Sequence, residues 1–137
     1  MLWRIPEAAF QNLLAGSPPR DVLLVKARAG RGAILRELHE ALGGAILGAG
    51  DFARDGAADE VFLRLMDQAL ANHPVVIVDD LHVVTKAANR NARAFLLDAA
   101  LTALLGEASS LRRKLIFGTE AEAPWPLVRR AWRIELE

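Results

Sequence analysis

The chain has 137 residues, 53% hydrophobic and 25% charged, enough for one domain with a buried core. Lysine and arginine balance aspartate and glutamate at 17 each, so net charge gives no basis for a general affinity toward nucleic acid or anionic membrane. Cysteine is absent, which removes disulfides, thiolate metal sites and cysteine nucleophiles.

No apolar run is long enough to span a bilayer, and the N-terminus MLWRIPEAAF lacks the basic region and apolar stretch of a signal peptide. These features predict one cytoplasmic domain over residues 1–137, with a helix and loop over 1–20 ahead of a core over 21–137.

In chain order, residues 5–15 read as a weak helix ended by Gly16-Ser17-Pro18-Pro19. DVLLVKA, 21–27, is a short apolar run with β-branched residues, read as a buried strand. The glycine-bearing turn ARAGRG follows, then a helix over 33–42 whose Ile34, Leu35, Leu38 and Leu42 share one face, stopped by Gly43-Gly44. AILGAG is a second short strand leading into the polar loop DFARDGAAD.

A helix over 59–72 places Val61, Phe62, Leu65, Met66, Ala69 and Leu70 at helical spacing. HPVVIVDD, 73–80, is the clearest strand, with four consecutive β-branched residues ahead of two aspartates. A long Ala/Leu helix covers 91–106. KLIFGTE is the fourth strand, PLVRRAW a short helix or turn, and RIELE a fifth strand. Alternating strands and helices predict an α/β fold with a mostly parallel sheet.

Two segments carry candidate chemistry together. VLLVKARAGRGAILREL is a strand, a glycine-rich turn and a helix; roughly fifty residues on, VVIVDD is an apolar strand ending in acids. Their order and spacing resemble the Walker A and Walker B elements of P-loop NTPases. In that arrangement backbone N–H groups and a helix N-terminus cradle phosphate, and a strand-end carboxylate holds Mg²⁺.

The stretch GAGDFARDGAADEVFLRLMDQALANHPVVIVDDLH and the segment KLIFGTEAEAPWPLVRRAWRIEL extend the resemblance to the AAA+ family over about residues 20–137. The resemblance implies a three-layer P-loop NTPase fold with a parallel five-stranded sheet in the order 5-1-4-3-2, flanked by helices. Because the sequence stops at the fifth strand, no helical lid is expected within it; the chain reads either as a piece of a larger AAA+ protein or ring, or as a minimal domain that never closes a lid.

Mapped onto the family pattern, the nucleotide-binding positions are Ala27, Arg28, Ala29, Gly30, Arg31, Gly32, Ala33 and Ile34. Ala27 replaces the first glycine, Ala33 the lysine and Ile34 the hydroxyl residue. Loss of the lysine removes a charge contact of about 4 kcal/mol before desolvation. Loss of the hydroxyl removes a Mg²⁺ ligand. Arg28 or Arg31 could reach a phosphate instead, so weak ATP or ADP binding with Mg²⁺ is the alternative to none.

The resemblance assigns Asp79 to Mg²⁺ and Asp80 to the catalytic acid position. The competing reading is that both acids only end a strand and cap the next segment. Without lysine or metal, two adjacent acids repel, so a raised pKa or an arginine partner is expected for one of them.

Gly118-Thr119-Glu120 falls at the sensor strand, with Thr119 the sensor candidate. Arg129 and Arg130 fall near the arginine-finger position, against the plainer reading of surface arginines on a turn. At the pore-loop position stand Arg54, Asp55 and Gly56, with no aromatic, so substrate threading is not expected. Of the three histidines only His82 lies near the acids. For Trp3, Trp125 and Trp132, toward the chain ends, packing together or marking an interface stands against the plainer reading of core or rim residues.

The favoured expectation is a degenerate AAA+-type domain, not an efficient ATPase, acting in homo- or hetero-oligomeric assembly or protein interaction. The alternative is an ATP/ADP-binding switch or slow ATPase. VDDLH also resembles initiator-type members, but neutral charge and the lack of a DNA-reading module set nucleic acid aside as an expected partner.

Overall fold

The computed structural model describes residues 21–53 and 57–135. The predicted helix at 5–15, Trp3 and the pore-loop positions 54–56 lie outside them. Five strands, β1 (Val22–Lys26), β2 (Ala45–Leu47), β3 (Val75–Val78), β4 (Lys114–Thr119) and β5 (Trp132–Glu135), form one sheet. All neighbours run parallel in the order β2-β3-β4-β1-β5, the expected 5-1-4-3-2 read from the other edge.

Parallel strands covered on both faces need apolar residues in both alternating sets. VLLVK and VVIV supply them: Val22, Leu24, Val76 and Val78 point into one layer with Leu115 and Phe117. Leu23, Val25, Val75 and Ile77 point into the other with Ile116 and Ile134. The second layer is closed by helix α1 (Arg31–Leu42) through Ile34, Leu35 and Leu38.

The first layer holds α2 (Ala49–Phe52), α3 (Ala58–Asn72), α4 (Leu81–Arg90), α5 (Ala94–Ser110) and α6 (Trp125–Arg130). Phe52 and Phe62 meet edge to face there, 5.5 Å between ring centroids. The turn from α1 into β2 requires glycine at 44: φ is +88°, and a Cβ would lie 2.0 Å from the Val75 carbonyl oxygen.

The element boundaries differ most from the sequence reading along the first and the long helix, after β2 and past β3. The first helix begins at Arg31, two residues early, with Gly30 at its N-cap in the left-handed region. The polar loop after β2 contains the one-turn helix α2. Residues 81–90, not assigned to a helix in the sequence, form α4, and the long helix moves from 91–106 to Ala94–Ser110. Val83, Val84 and Thr85 weaken the helix signal by their stiff χ1, yet burial of Leu81, Val84 and Ala88 on one face overrides it.

Between α4 and α5 the chain turns on Ala92, with φ +57°. The Arg93 N–H donates to the Ala88 carbonyl at 2.7 Å and the Ala92 N–H to Asn89 at 3.2 Å. This is a Schellman closure with alanine where glycine is favoured. Arg112, φ +57°, ends α5 the same way.

The turn is pinned to α3 by Arg93. Its Nε and Nη2 donate to the two carboxylate oxygens of buried Asp59 at 2.7 and 3.0 Å, and Nη1 lies 2.8 Å from Glu60. The Arg93 hydrogen bonds hold the Asp59 carboxyl below its usual range, against the opposing effect of burial. A depressed folded-state value means a contribution present above the unfolded pKa near 4 and lost as pH falls through the folded one.

In urea unfolding, the wild-type midpoint is therefore expected to fall below about pH 4 more steeply than that of Asp59→Asn. Ala92→Gly is expected to raise stability by about 0.5–1 kcal/mol by relieving the left-handed alanine.

Candidate nucleotide site

The site gathers where β1 and β3 end. β1 passes through Ala27, whose N–H donates to the Thr119 carbonyl at 3.0 Å, into Arg28, Ala29 and Gly30. Gly30, φ +79°, turns the chain into α1. The first helical bond of α1 runs from the Ile34 N–H to the Gly30 carbonyl, 3.1 Å. The N–H groups of Arg31, Gly32 and Ala33 precede that ladder and form the positive end of the helix.

Asp79 follows β3, its N–H donating to Leu47 at 2.8 Å. Asp80 stands in the left-handed region at φ +59°, a conformation aspartate tolerates better than most residues. Its N–H donates to Asp79 Oδ1 at 2.8 Å. Asp80 is the N-cap residue of α4 but makes no side-chain cap bond there.

Arg31 joins loop and acids. Its Nε donates to Asp79 Oδ1 at 2.5 Å, its Nη2 to Asp80 Oδ1 at 3.0 Å, and its Nη1 to the Ala27 carbonyl at 2.7 Å. The Arg31 side chain is only 10% exposed, against 22% for Asp79 and 28% for Asp80. The other oxygen of Asp80 accepts the Ala49 N–H at 3.0 Å, which ties α2 into the same network.

A cation in the first turn of a helix opposes the helix dipole; two carboxylates offset it here. Gly118 on β4 leaves the room, since a Cβ there would lie 2.7 Å from Asp79 Oδ1, 2.7 Å from Leu35 Cδ1 and 3.1 Å from Arg31 Cδ.

The remaining sequence candidates are placed as follows. Ala33 is exposed, while Ile34 is fully buried under the sheet. Arg28 and Ala29 are exposed on the turn. Thr119 is fully buried; its hydroxyl donates to the Ala121 carbonyl at 3.1 Å and accepts the Ala121 N–H at 3.3 Å.

His82 is buried beside it, its Nδ1 accepting the Glu120 N–H at 3.4 Å. Arg129 and Arg130 line a separate groove with Thr102, Leu105 and Pro126. Trp125 and Trp132 are 66% and 41% exposed. An open cleft of about 280 Å³ borders the acids, lined by Gly32, Leu35, Arg36, Gly48, Asp51 and others.

The sequence reading treated Arg31 as a phosphate ligand and sought an arginine for the acids separately; the structure joins the two. The Ala49 N–H and the spatial demand on Gly118 left no signal in the sequence, because both arise from backbone approach.

No family model matches the chain, and no curated protein matches it. Solved structures do. A DNA replication initiation factor superposes with TM-score 0.60 at 13% identity, covering 96% of this chain and 44% of that one. The replication initiator DnaA bound to AMPPCP and single-stranded DNA gives 0.59 at 14% identity, 98% and 48%. Domain III of the Thermotoga maritima replication initiation protein DnaA gives 0.55 at 13% identity, 98% and 65%.

The chain spans under half the length of the first two and about two thirds of the third. At such identities the likeness concerns the fold, an AAA+ P-loop α/β fold.

Arg31→Ala leaves two adjacent, partly buried carboxylates without their cation, and is expected to cost about 1–3 kcal/mol in urea unfolding. Because Gly118 is boxed in by Asp79 and Leu35, Gly118→Ala is expected to destabilise as well, where an exposed glycine such as Gly50 tolerates alanine.

Proposed function

We propose that residues 1–137 are one AAA+-type module whose nucleotide site is closed by its own Arg31. In this reading the module serves assembly or protein interaction and is not an efficient ATPase. The observation that carries the reading is the guanidinium of Arg31, hydrogen-bonded at once to Asp79, Asp80 and the Ala27 carbonyl.

The residues present do not fit a Mg²⁺-nucleotide as the fold usually holds one. Asp79, the metal position, accepts from Arg31. Asp80, the catalytic position, has one oxygen on Arg31 and the other on Ala49. Ala33 offers no ammonium, and Ile34 directs its side chain into the core beneath the sheet. Thr119 spends its hydroxyl on Ala121. Each lost contact removes charge stabilisation on which phosphoryl transfer depends.

The alternative, an ATP/ADP switch, draws support from the two acids at the end of β3 and from a structural neighbour solved with AMPPCP. In that reading Arg31 leaves the acids when nucleotide arrives. The same neighbour holds single-stranded DNA, so titration with a fluorescent single-stranded oligonucleotide forms a second arm of the test, although neutral charge and the lack of a DNA-reading module set nucleic acid aside in the sequence.

Titration with a fluorescent ATP analogue, with and without Mg²⁺, is expected to show no Mg²⁺-dependent binding by the wild-type chain. Arg31→Ala combined with Ala33→Lys is expected to gain it, since residue 33 is exposed and tolerates a long side chain. Tight Mg²⁺-dependent binding by the wild type would defeat the closed-site reading in favour of the switch.

A further inference from the structure

The longest helix, α5, has the sequence AFLLDAALTALLGEASS, with Asp98 and Glu107 its only charged side chains. A helix apolar on nearly every side belongs in a setting covered on every side. Among the described residues only one side of α5 is covered: Leu97, Leu101, Leu104, Leu105 and Ala108 are buried. The outer face presents Phe95, Ala99, Thr102, Gly106 and Ser110, all exposed. Phe95 is 83% exposed and its neighbour Leu96 58%.

Along the edge of this face, between α5 and α6, runs an open groove of about 310 Å³ bordered by Arg129 and Arg130. Neither arginine has an ion pair among the described residues.

We propose that this face docks a second copy of the same chain, α5 against α5, antiparallel about a two-fold axis near Thr102. The surface is complementary to itself in shape. Its N-terminal end carries the bulky Phe95 and its C-terminal end the small Gly106, Ser109 and Ser110. Antiparallel docking about residue 102 sets Phe95 of each copy over Ser109 and Ser110 of the other. Ala99, Thr102 and Ala103 between them let the two helices approach closely over about 25 Å.

It is also complementary in charge. The same two-fold carries Asp98 of the second copy to the level of Gly106, beside Arg129 and Arg130 at Leu105. A face that meets itself in this way gives a closed, isologous dimer. The proposal rests on the assembly half of the reading above and is independent of the nucleotide half.

The absence of cysteine makes a decisive test available, because Thr102→Cys places a single thiol at the two-fold. Under mild oxidation this variant is expected to form a disulfide-linked dimer far faster than Glu37→Cys, an exposed thiol on α1. Sedimentation of the wild type is expected to show a concentration-dependent dimer.

Gly106→Glu, at a position with open space around an added Cβ, sets bulk and a like charge opposite Asp98 of the second copy and is expected to give a monomer without a lower Tm. Asp98→Arg is expected to weaken the dimer about tenfold or more, and Arg130→Asp on top of it to restore association.

A wild type that sediments as a monomer throughout the micromolar range overturns the proposal. So does a Thr102→Cys rate no greater than that of Glu37→Cys, or a Gly106→Glu chain that stays dimeric. A dimer that also binds Mg²⁺-nucleotide sinks the closed-site reading and leaves this one intact; a nucleotide-blind monomer does the reverse.

Discussion

A guanidinium held between two carboxylates and a main-chain carbonyl joins parts of the chain that lie far apart in sequence. Arg31 starts α1, Asp79 and Asp80 end β3, and Ala27 ends the run of β1. Adjacent carboxylates at the end of a buried strand repel each other and need a cation nearby. In the P-loop arrangement a mobile metal and a lysine answer that need; here an arginine of the chain itself does. The consequences spread through contact. Gly118 must have no side chain, and Asp80 must take a left-handed backbone; its remaining oxygen anchors the start of α2 through Ala49.

The sheet around this network is clothed unevenly. Under one face, α1 contributes Ile34, Leu35 and Leu38; over the other, five helices share the load. The parallel order places every strand's C-terminal end on one side, where loop, acids and Thr119 meet, as open α/β sheets do for their ligand crevices. On the helix-rich side the links between elements are specific rather than merely apolar. The clearest is the Arg93 fork on Asp59 and Glu60, which fixes the α4–α5 turn against α3. That turn aims α5 so that its leucine-bearing side meets the core, and leaves its phenylalanine-and-small-residue side outward.

Much of the architecture was legible because its signals are local. VVIV and VLLVK read as buried strands of a mostly parallel sheet, and the resemblance to the AAA+ family implied the sheet order found. The helix at 81–90 was not legible: Val83, Val84 and Thr85 argue against helix one residue at a time, and burial of the whole face decided otherwise. The site was half legible. Asp79, Asp80 and the glycine-bearing loop stand out in the sequence, and their repulsion led to the expectation of a raised pKa or an arginine partner for one of the two acids. Which arginine, and that it would also take the Ala27 carbonyl, depends on 48- and 49-residue separations closing to hydrogen-bond distance.

By itself, then, the sequence determined an alternating α/β plan with a mostly parallel sheet, which follows from periodicity, and a glycine-bearing loop without a lysine or hydroxyl side chain at Ala33 and Ile34. The layering and the placing of that loop by the acids were what the resemblance to P-loop proteins implied. The tertiary structure alone decided where the charge of Arg31 goes, that Thr119 turns its hydroxyl back to Ala121, and which side of α5 faces outward. The physical reason is range. Propensity and pattern act over a few residues, whereas pairing a charge, satisfying a hydroxyl or covering a helix face depends on neighbours that only the folded sheet brings together.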